Sequence, residues 1–318
     1  MKVIDRIKNT ENRTLFSFEI LPPLKGQNIK EIYDGIEPLM EFNPAFVDVT
    51  YHREEYFYKP LENGNLELKV IRKRPGTVGI CAAIQHKYKV DAIPHVLCGG
   101  FSAEETENML IELQFLGIDN LMALRGDAIK TETYFQAKPD GHRYATELVQ
   151  QIKNLNKGIY IDETETAGAN TDFCIGVAGY PEKHIEAPSL DFDIQNLKKK
   201  IENGADYIVT QMFFDNTKFF NFVDNCRSEG IHVPIIPGIK PLTSSSQLHL
   251  IPQRFHLDFP NELVEEVKKA DSPQKVREIG VEWAIHQCKE LIEYGVPVIH
   301  FYTMGKSANI KRIARSIF

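Results

Sequence analysis

The sequence predicts an α/β protein folded as a single (β/α)8 TIM barrel, and three observations carry that expectation. Short apolar, β-branched runs alternate with longer amphipathic stretches along the whole chain, the pattern of parallel strands joined by helices. The 318 residues suit one complete barrel, and no low-complexity linker marks a second unit, so residues 1–318 read as one domain. No G-x-G-x-x-G follows the first strand candidate, which weakens the competing doubly wound sheet.

The first strand falls at residues 15–21. There Phe16, Phe18 and Ile20 share one face and Ser17 and Glu19 the other. The apolar face suits the surrounding helices, so Glu19 turns toward the barrel mouth. A helix over 29–42 and a strand over 45–51 follow. Residues 51–59 read as a charged, Tyr-rich loop, and 66–89 as helical material interrupted by Pro75-Gly76. After a third strand at 90–98, the next helix opens at Ser102, three residues before Glu105. That spacing is a capping box, in which each side chain satisfies a backbone N–H at the helix start. Leu110, Leu113 and Leu116 continue its apolar face, and Gly117 closes it. The fourth strand, 120–124, runs into Arg125-Gly126-Asp127. Further strands are expected at 173–178, 207–213, 234–237 and 298–302. Helices are expected near 144–155, 191–203 and 216–229, through much of 244–294, and at the C-terminus.

Composition excludes several classes. A formal net charge of −7 and the lack of a long basic run give no footing for nucleic acid or an anionic membrane surface. The charged start, Met1-Lys2-Val3-Ile4-Asp5-Arg6, lacks the apolar core of a signal peptide. No stretch approaches the roughly 18 apolar residues of a membrane helix, and a cytoplasmic protein is expected. Cys81, Cys98, Cys174, Cys226 and Cys288 are scattered singly, which suits reduced thiols. His95 and Cys98 lie three apart, but without a second pair they fall short of a zinc site, and no metal is expected. Gly305-Lys306-Ser307 lacks the leading glycine of a P-loop. The sequon Asn12-Arg13-Thr14 has no meaning in a cytoplasmic chain.

In a barrel, chemistry gathers at the C-terminal ends of the strands. Glu19, Thr50, His95, Asp127, Tyr180, His184, Gln211 and Tyr302-Thr303 all fall at or near such ends. A partly desolvated carboxylate at Glu19 would hold a proton near neutral pH. The residues alone leave open whether Glu19 is an acid or a structural carboxylate, whether Asp127 caps a loop, and whether Gln211 is a satisfied core amide.

Seven segments in order resemble methylenetetrahydrofolate reductases: Ser17-Phe18-Glu19 with Pro22-Pro23, Phe46-Val47-Asp48-Val49-Thr50-Tyr51, Ala123-Leu124-Arg125-Gly126-Asp127, Gly179-Tyr180-Pro181-Glu182-Lys183-His184, Thr210-Gln211-Met212-Phe213-Phe214-Asp215, Ile235-Ile236-Pro237-Gly238-Ile239 and His300-Phe301-Tyr302-Thr303. The resemblance implies an FAD-binding barrel that reduces 5,10-methylenetetrahydrofolate with NADH or NADPH, and it implies a homo-oligomer with small-molecule partners. By the same resemblance, Glu19 is the general acid and Asp127 the carboxylate beside flavin and pterin. Thr50, His95, Arg125, Gly126, Asp127, Tyr180, His184, Asp193, Asn196, Lys199 and Lys200 contact the cofactor. Gln211, Gln247 and Lys306 contact the folate. Two positions depart from the family pattern: Ile251 stands where a stacking Phe occurs, and Lys306 where an Arg is common. The segments 51–59 and 162–171 match no family feature.

Overall fold

The computed structural model describes residues 1–10, 13–129, 131–162 and 170–318. Asn12 of the sequon and residues 163–169 of the 162–171 segment lie outside the described residues.

The chain opens with a short helix, α1 (Val3–Lys8), and then β1 (Leu15–Ile20). Next comes α2 (Ile29–Ile36), which tightens into a 3-10 turn over Glu37–Phe42, where Pro38 removes a helical donor. β2 (Phe46–Val49) leads to an antiparallel hairpin, β3 (Glu55–Pro60) and β4 (Leu66–Ile71), and then to α3 (Thr77–Tyr88). From there strands and helices alternate: β5 (Asp91–Leu97), α4 (Ala103–Phe115), β6 (Asn120–Leu124), α5 (Ala145–Leu155), β7 (Cys174–Gly179), α6 (Leu190–Glu202), β8 (Tyr207–Thr210) and α7 (Asn216–Ser228). A strand broken in two, β9 (Ile235–Ile236) and β10 (Gly238–Ile239), precedes α8 (Gln247–Phe255), α9 (Asn261–Lys269) and α10 (Pro273–Tyr294). β11 (Val298–Tyr302) and α11 (Ser307–Ile317) end the chain.

The parallel strands run in the order β10-β11-β1-β2-β5-β6-β7-β8-β9. Because β9 and β10 flank Pro237, which has no N–H to donate, they form one interrupted strand. Its first half pairs with β8 (Ile208↔Ile235) and its second with β11 (Gly238↔His300), which closes the ring as a TIM barrel. Alternation sorts the side chains as expected. Phe16, Phe18 and Ile20 pack outward with Val47 and Val49 against the helices, whereas Phe46, Ile93, Met122, Tyr207 and Ile236 fill the interior. Gly176 makes room for that filling, since a Cβ there would stand 2.4 Å from the Tyr207 ring.

α1 plugs the N-terminal end of the barrel. Val3 is buried in the interior cluster, and its N–H donates to Asn120 Oδ1 at 2.9 Å while Asn120 Nδ2 donates to the Met1 carbonyl at 3.1 Å. The Met1 ammonium and the Arg6 guanidinium both pair with Asp91 at the start of β5. Asn120→Ala leaves the buried Val3 N–H without its acceptor, and the expected cost is about 1–3 kcal/mol in urea unfolding.

The hairpin corrects two sequence expectations. Residues 66–71 are a strand, not helical material, and most of 51–59 belongs to its partner. Leu66, Leu68 and Val70 alternate with Glu67 and Lys69, a period of two. Asn63-Gly64, with Gly64 at φ +82°, supplies the turn. The predicted capping box stands: Ser102 Oγ accepts from Glu105 N at 3.2 Å and Glu105 Oε2 accepts from Ser102 N at 2.8 Å. All five cysteines are buried and free. Among the described residues no helix is long and apolar enough to cross a membrane.

Candidate active site

The C-terminal rim gathers the candidate residues around Glu19. β1 pairs with β2 and β11 so that Glu19 stands level with Asp48 on one side and Tyr302 on the other. Its side chain is 15% exposed, and His95 Nε2 lies 3.5 Å from its Oε2. Burial, with no compensating donor as strong as water, raises the Glu19 pKa to about 7. His95 opposes that rise and Asp48 adds to it. The carboxyl that alternation turns toward the barrel mouth is at the mouth, and with a pKa of about 7 it carries a proton in about half of the molecules at neutral pH.

Sequence reasoning missed what lies beneath it. Asp48, 1% exposed, sits 3.6 Å from His95 Nε2 and 3.9 Å from His300 Nε2. Ser17 Oγ is 2.9 Å from His300 Nδ1. A line of polar side chains therefore runs from Glu19 into the barrel through His95, Asp48, His300 and Ser17. Asp48 Oδ1, His95 Nε2 and His300 Nε2 find no direct hydrogen-bond partner among the described residues. At these separations and an effective dielectric of about 20, opposite charges attract by roughly 4 kcal/mol. Burial holds His300 down at about 4, so it stays neutral. His95 differs: burial disfavours its charge, but Asp48 and Glu19 together outweigh burial and raise its pKa. A signal was present in the sequence, because alternation places Asp48 with inward-facing Phe46 in an otherwise apolar strand.

A second group follows β6 and β7. Gly126 is at φ +85°, a conformation that favours glycine, and a Cβ there would press on the Leu97 side chain at 3.2 Å. Arg125 makes a two-pronged pair with Glu186, at 2.6 and 2.7 Å, and its guanidinium lies 4.9 Å from the Phe135 ring centroid. Phe135 also faces Arg53, which is bonded to Glu132 by both terminal nitrogens. Asp127 is exposed, and its charge reaches His52, Arg125 and Tyr180. Tyr180 and His184 meet edge to face at 4.8 Å. Burial strongly raises the Tyr180 pKa and, with Arg125, lowers that of His184. Asp193 Oδ2 accepts from His184 N at 2.8 Å, which ties α6 to this loop.

On α6, Lys200 turns inward and donates to the Ala178 carbonyl at 3.1 Å. Burial lowers its pKa to about 8, against the pull of Asp193. Asn196 is half-buried, and Lys199 is exposed one position round the helix. Thr50 Oγ1 and His52 Nε2 are 3.3 Å apart beyond β2. Gln211 follows β8, its side-chain oxygen accepting from Met212 N. Gln247 Oε1 accepts from Thr243 N and Ser244 N ahead of α8. Lys306 is exposed at the start of α11, and Ile251 is packed in a core cluster with Met212 and Phe214. Among the described residues no group of three His, Cys, Asp or Glu side chains could hold a metal ion.

A closed parallel barrel with a buried acid, a basic flank and polar strand ends at one mouth is the architecture of an α/β-barrel with a ligand site at its C-terminal face. The chain belongs to the methylenetetrahydrofolate reductase family, whose profile matches residues 3–317. It is 32% identical over 317 residues to "Methylenetetrahydrofolate reductase 1" of Schizosaccharomyces pombe, covering 98% of this chain and 48% of that one. It therefore spans about half the length of that relative. It is 30% identical to "5,10-methylenetetrahydrofolate reductase" of Pectobacterium carotovorum, covering 93% of this chain and 88% of the relative. Among solved structures, one described as an uncharacterised Clostridium thermocellum protein that binds two copies of 5-methyl-5,6,7,8-tetrahydrofolic acid superposes with a TM-score of 0.62. That match covers 98% and 96% of the two chains at 16% identity, a likeness of fold.

Proposed function

We propose that this chain reduces 5,10-methylenetetrahydrofolate to 5-methyltetrahydrofolate at the expense of NADH or NADPH, in two half-reactions served by FAD. The observation that carries the reading is Glu19, a carboxylic acid with a pKa of about 7 at the mouth of a barrel of this family. General acids work best with pKa values near the operating pH. Glu19 in its protonated form gives its proton to folate N10, which opens the five-membered ring to an iminium that accepts hydride.

The donor set fits FAD. The half-buried Lys200 offers positive charge to a pyrophosphate, Arg125 adds a guanidinium that Glu186 pairs, and Gly126 lets the backbone come close. Thr50, His95, Tyr180, His184, Asp193, Asn196 and Lys199 complete the proposed contacts. FAD, when bound, supplies the redox chemistry, taking hydride from the nicotinamide and returning it to the one-carbon unit. Asp127 orients the pterin and disfavours further negative charge beside it, and Gln211, Gln247 and Lys306 bind the folate. The small molecules named are its proposed partners. Self-association into a homo-oligomer is proposed as well, and light scattering of the purified chain tests it.

Anaerobic absorbance spectra test the reaction. The purified protein is expected to be yellow, to bleach with NADH or NADPH, and to regain colour when methylenetetrahydrofolate is added. Colourless protein that takes up no added FAD overturns the proposal.

Lys200 adds a pH dependence. Its pKa is lowered to about 8, so the cationic form that attracts a phosphate disappears as pH rises through 8. Binding an anion favours the protonated form and takes up a proton. FAD affinity, followed by quenching of flavin fluorescence, should therefore weaken between pH 7 and pH 9. Lys200→Met should flatten that dependence and weaken binding at pH 7 by roughly 10-fold or more, the size of a charged hydrogen bond.

A further inference from the structure

We propose that Asp48 is a positioning residue that keeps His95 as an imidazolium beside Glu19, so that Glu19 releases its proton against a cation rather than within an apolar wall. The proposal rests on the reading of Glu19 as the general acid.

The geometry sets two carboxylates on one ring nitrogen. His95 Nε2 is 3.5 Å from Glu19 and 3.6 Å from Asp48, and Asp48 is 1% exposed. Both gaps are longer than a full hydrogen bond, so a weak polar contact with Asp48 and the charges of both carboxyl groups make the link. A carboxylate buried as deeply as Asp48 is stabilised by a cation beside it, and two histidines flank Asp48. His300 is the poorer choice, since it is fully buried, lies farther off at 3.9 Å, and has Ser17 against its other nitrogen. His95 stands at the rim with a second carboxylate beside it. The positive charge therefore settles on His95.

The other titratable neighbours do not compete for this role. The charge of Asp48 reaches Cys81, which packs in the outer cluster on α3, and Tyr207 of β8, and burial holds both un-ionised. Tyr302 faces Glu19, but its hydroxyl donates to the Thr210 carbonyl at 2.6 Å. His52, beyond β2, feels His95 and Arg74, and burial and these charges keep it neutral.

The consequence for Glu19 has a definite sign. Of the two charges acting on it, His95 lowers its pKa more than Asp48 raises it. Removing Asp48 takes away a small direct repulsion. It also lets His95 lose its proton, which removes the larger attraction. Glu19 then becomes a weaker acid, protonated to higher pH and slower to give its proton away. A purely structural role for Asp48 would slow the reaction without moving its pH profile.

Two measurements test this. In the first, the full chain carrying 15N-labelled histidine is titrated by NMR, with His95→Gln used to assign the ring. The His95 midpoint is expected above its usual 6.5 in the native protein and in Glu19→Gln, and below 6.5 in Asp48→Asn. A native midpoint at or below 6.5, a fall below 6.5 in Glu19→Gln, or no change in Asp48→Asn overturns the proposal. The native and Glu19→Gln titrations decide it even if Asp48→Asn does not fold. In the second, the alkaline limb of the folate half-reaction should move up by about one pH unit or more in Asp48→Asn, with the rate on the acid plateau down by a few-fold, at most about 10-fold per unit. A limb that stays or moves down overturns it. If the native chain shows no folate reaction at all, the proposed function fails, and the histidine titration still decides the role of Asp48.

Discussion

Glu19→Gln is expected to abolish folate reduction while leaving bleaching of the flavin by NADH or NADPH nearly unchanged. Glutamine keeps the size and much of the polarity of the side chain but has no proton to give at neutral pH. Positioned general acids contribute about 10²–10⁴-fold, so the folate half-reaction should slow by that factor in stopped-flow absorbance. The native half-reaction should carry a pH dependence of matching sign. Glu19, at a pKa of about 7, is the active form when protonated, so the rate should hold below pH 7 and fall as pH rises through it. That limb should be missing in Glu19→Gln. Equal loss of both half-reactions would show that Glu19 shapes the site rather than serving one step. Stability moves the same way. A carboxyl whose pKa is raised from 4.5 to about 7 on folding costs stability as pH rises from 4.5 to 7, where the unfolded chain ionises and the folded one does not, and that cost is constant above 7. The substitution should remove this loss, so that Glu19→Gln loses less stability than the native chain between pH 4.5 and pH 7 in urea unfolding.

How much of the fold and site is legible in the sequence differs from residue to residue. The orientation of Glu19 follows from period-two alternation, because Phe16, Phe18 and Ile20 must face the helices and the pleat sends Ser17 and Glu19 the other way. The same rule applied to β2 points to Asp48, since Val47 and Val49 pack outward while Phe46 points in. It is easily passed over because a lone Asp in a four-residue strand has no partner in its own sequence. Its partners arrive from β5 and β11, 47 and 252 positions away along the numbering of His95 and His300. Contacts of that range are set by barrel closure and leave no local pattern. Arg125 is nameable from the segment it sits in, but Glu186, Phe135 and the Arg53–Glu132 pair that frame it lie on separate loops. The hairpin is obscured for a different reason. Leu66, Leu68 and Val70 alternate cleanly, but they face solvent, so the apolar pattern marks no core. The break at Pro237 is visible as a strand end, whereas its continuation into β10, which closes the barrel, depends on pairing with β11.

That closure leads to the second large effect, in which one substitution is expected to act with opposite signs at two glycines. At Gly238, a Cβ would lie 2.3 Å from the Thr210 carbonyl oxygen and 2.6 Å from the Tyr302 ring. Neither neighbour can yield cheaply. The carbonyl belongs to the end of β8, and the Tyr302 hydroxyl already donates to it at 2.6 Å. Gly238 N also donates to Thr210 Oγ1 at 3.0 Å, so the three strands are fastened at one point. Overpacking such a contact costs about 1–3 kcal/mol, occasionally more. A displaced Tyr302 adds the loss of a buried hydrogen bond. Gly238→Ala should therefore lower Tm by roughly 3–6 °C, and it should disturb Glu19, which Tyr302 faces across β1 and β11. Gly79, inside α3, has nothing within 4 Å of the place an added methyl would take, and its φ is not positive. Gly79→Ala should raise stability by about 0.5–1 kcal/mol, because alanine restricts the unfolded chain and favours the helix. Differential scanning calorimetry of the two variants separates the effects. If Gly79→Ala also destabilises, the space and helical backbone at Gly79 do not set its effect; if Gly238→Ala is neutral, the barrel closes with more slack than the spacing of Thr210 and Tyr302 allows.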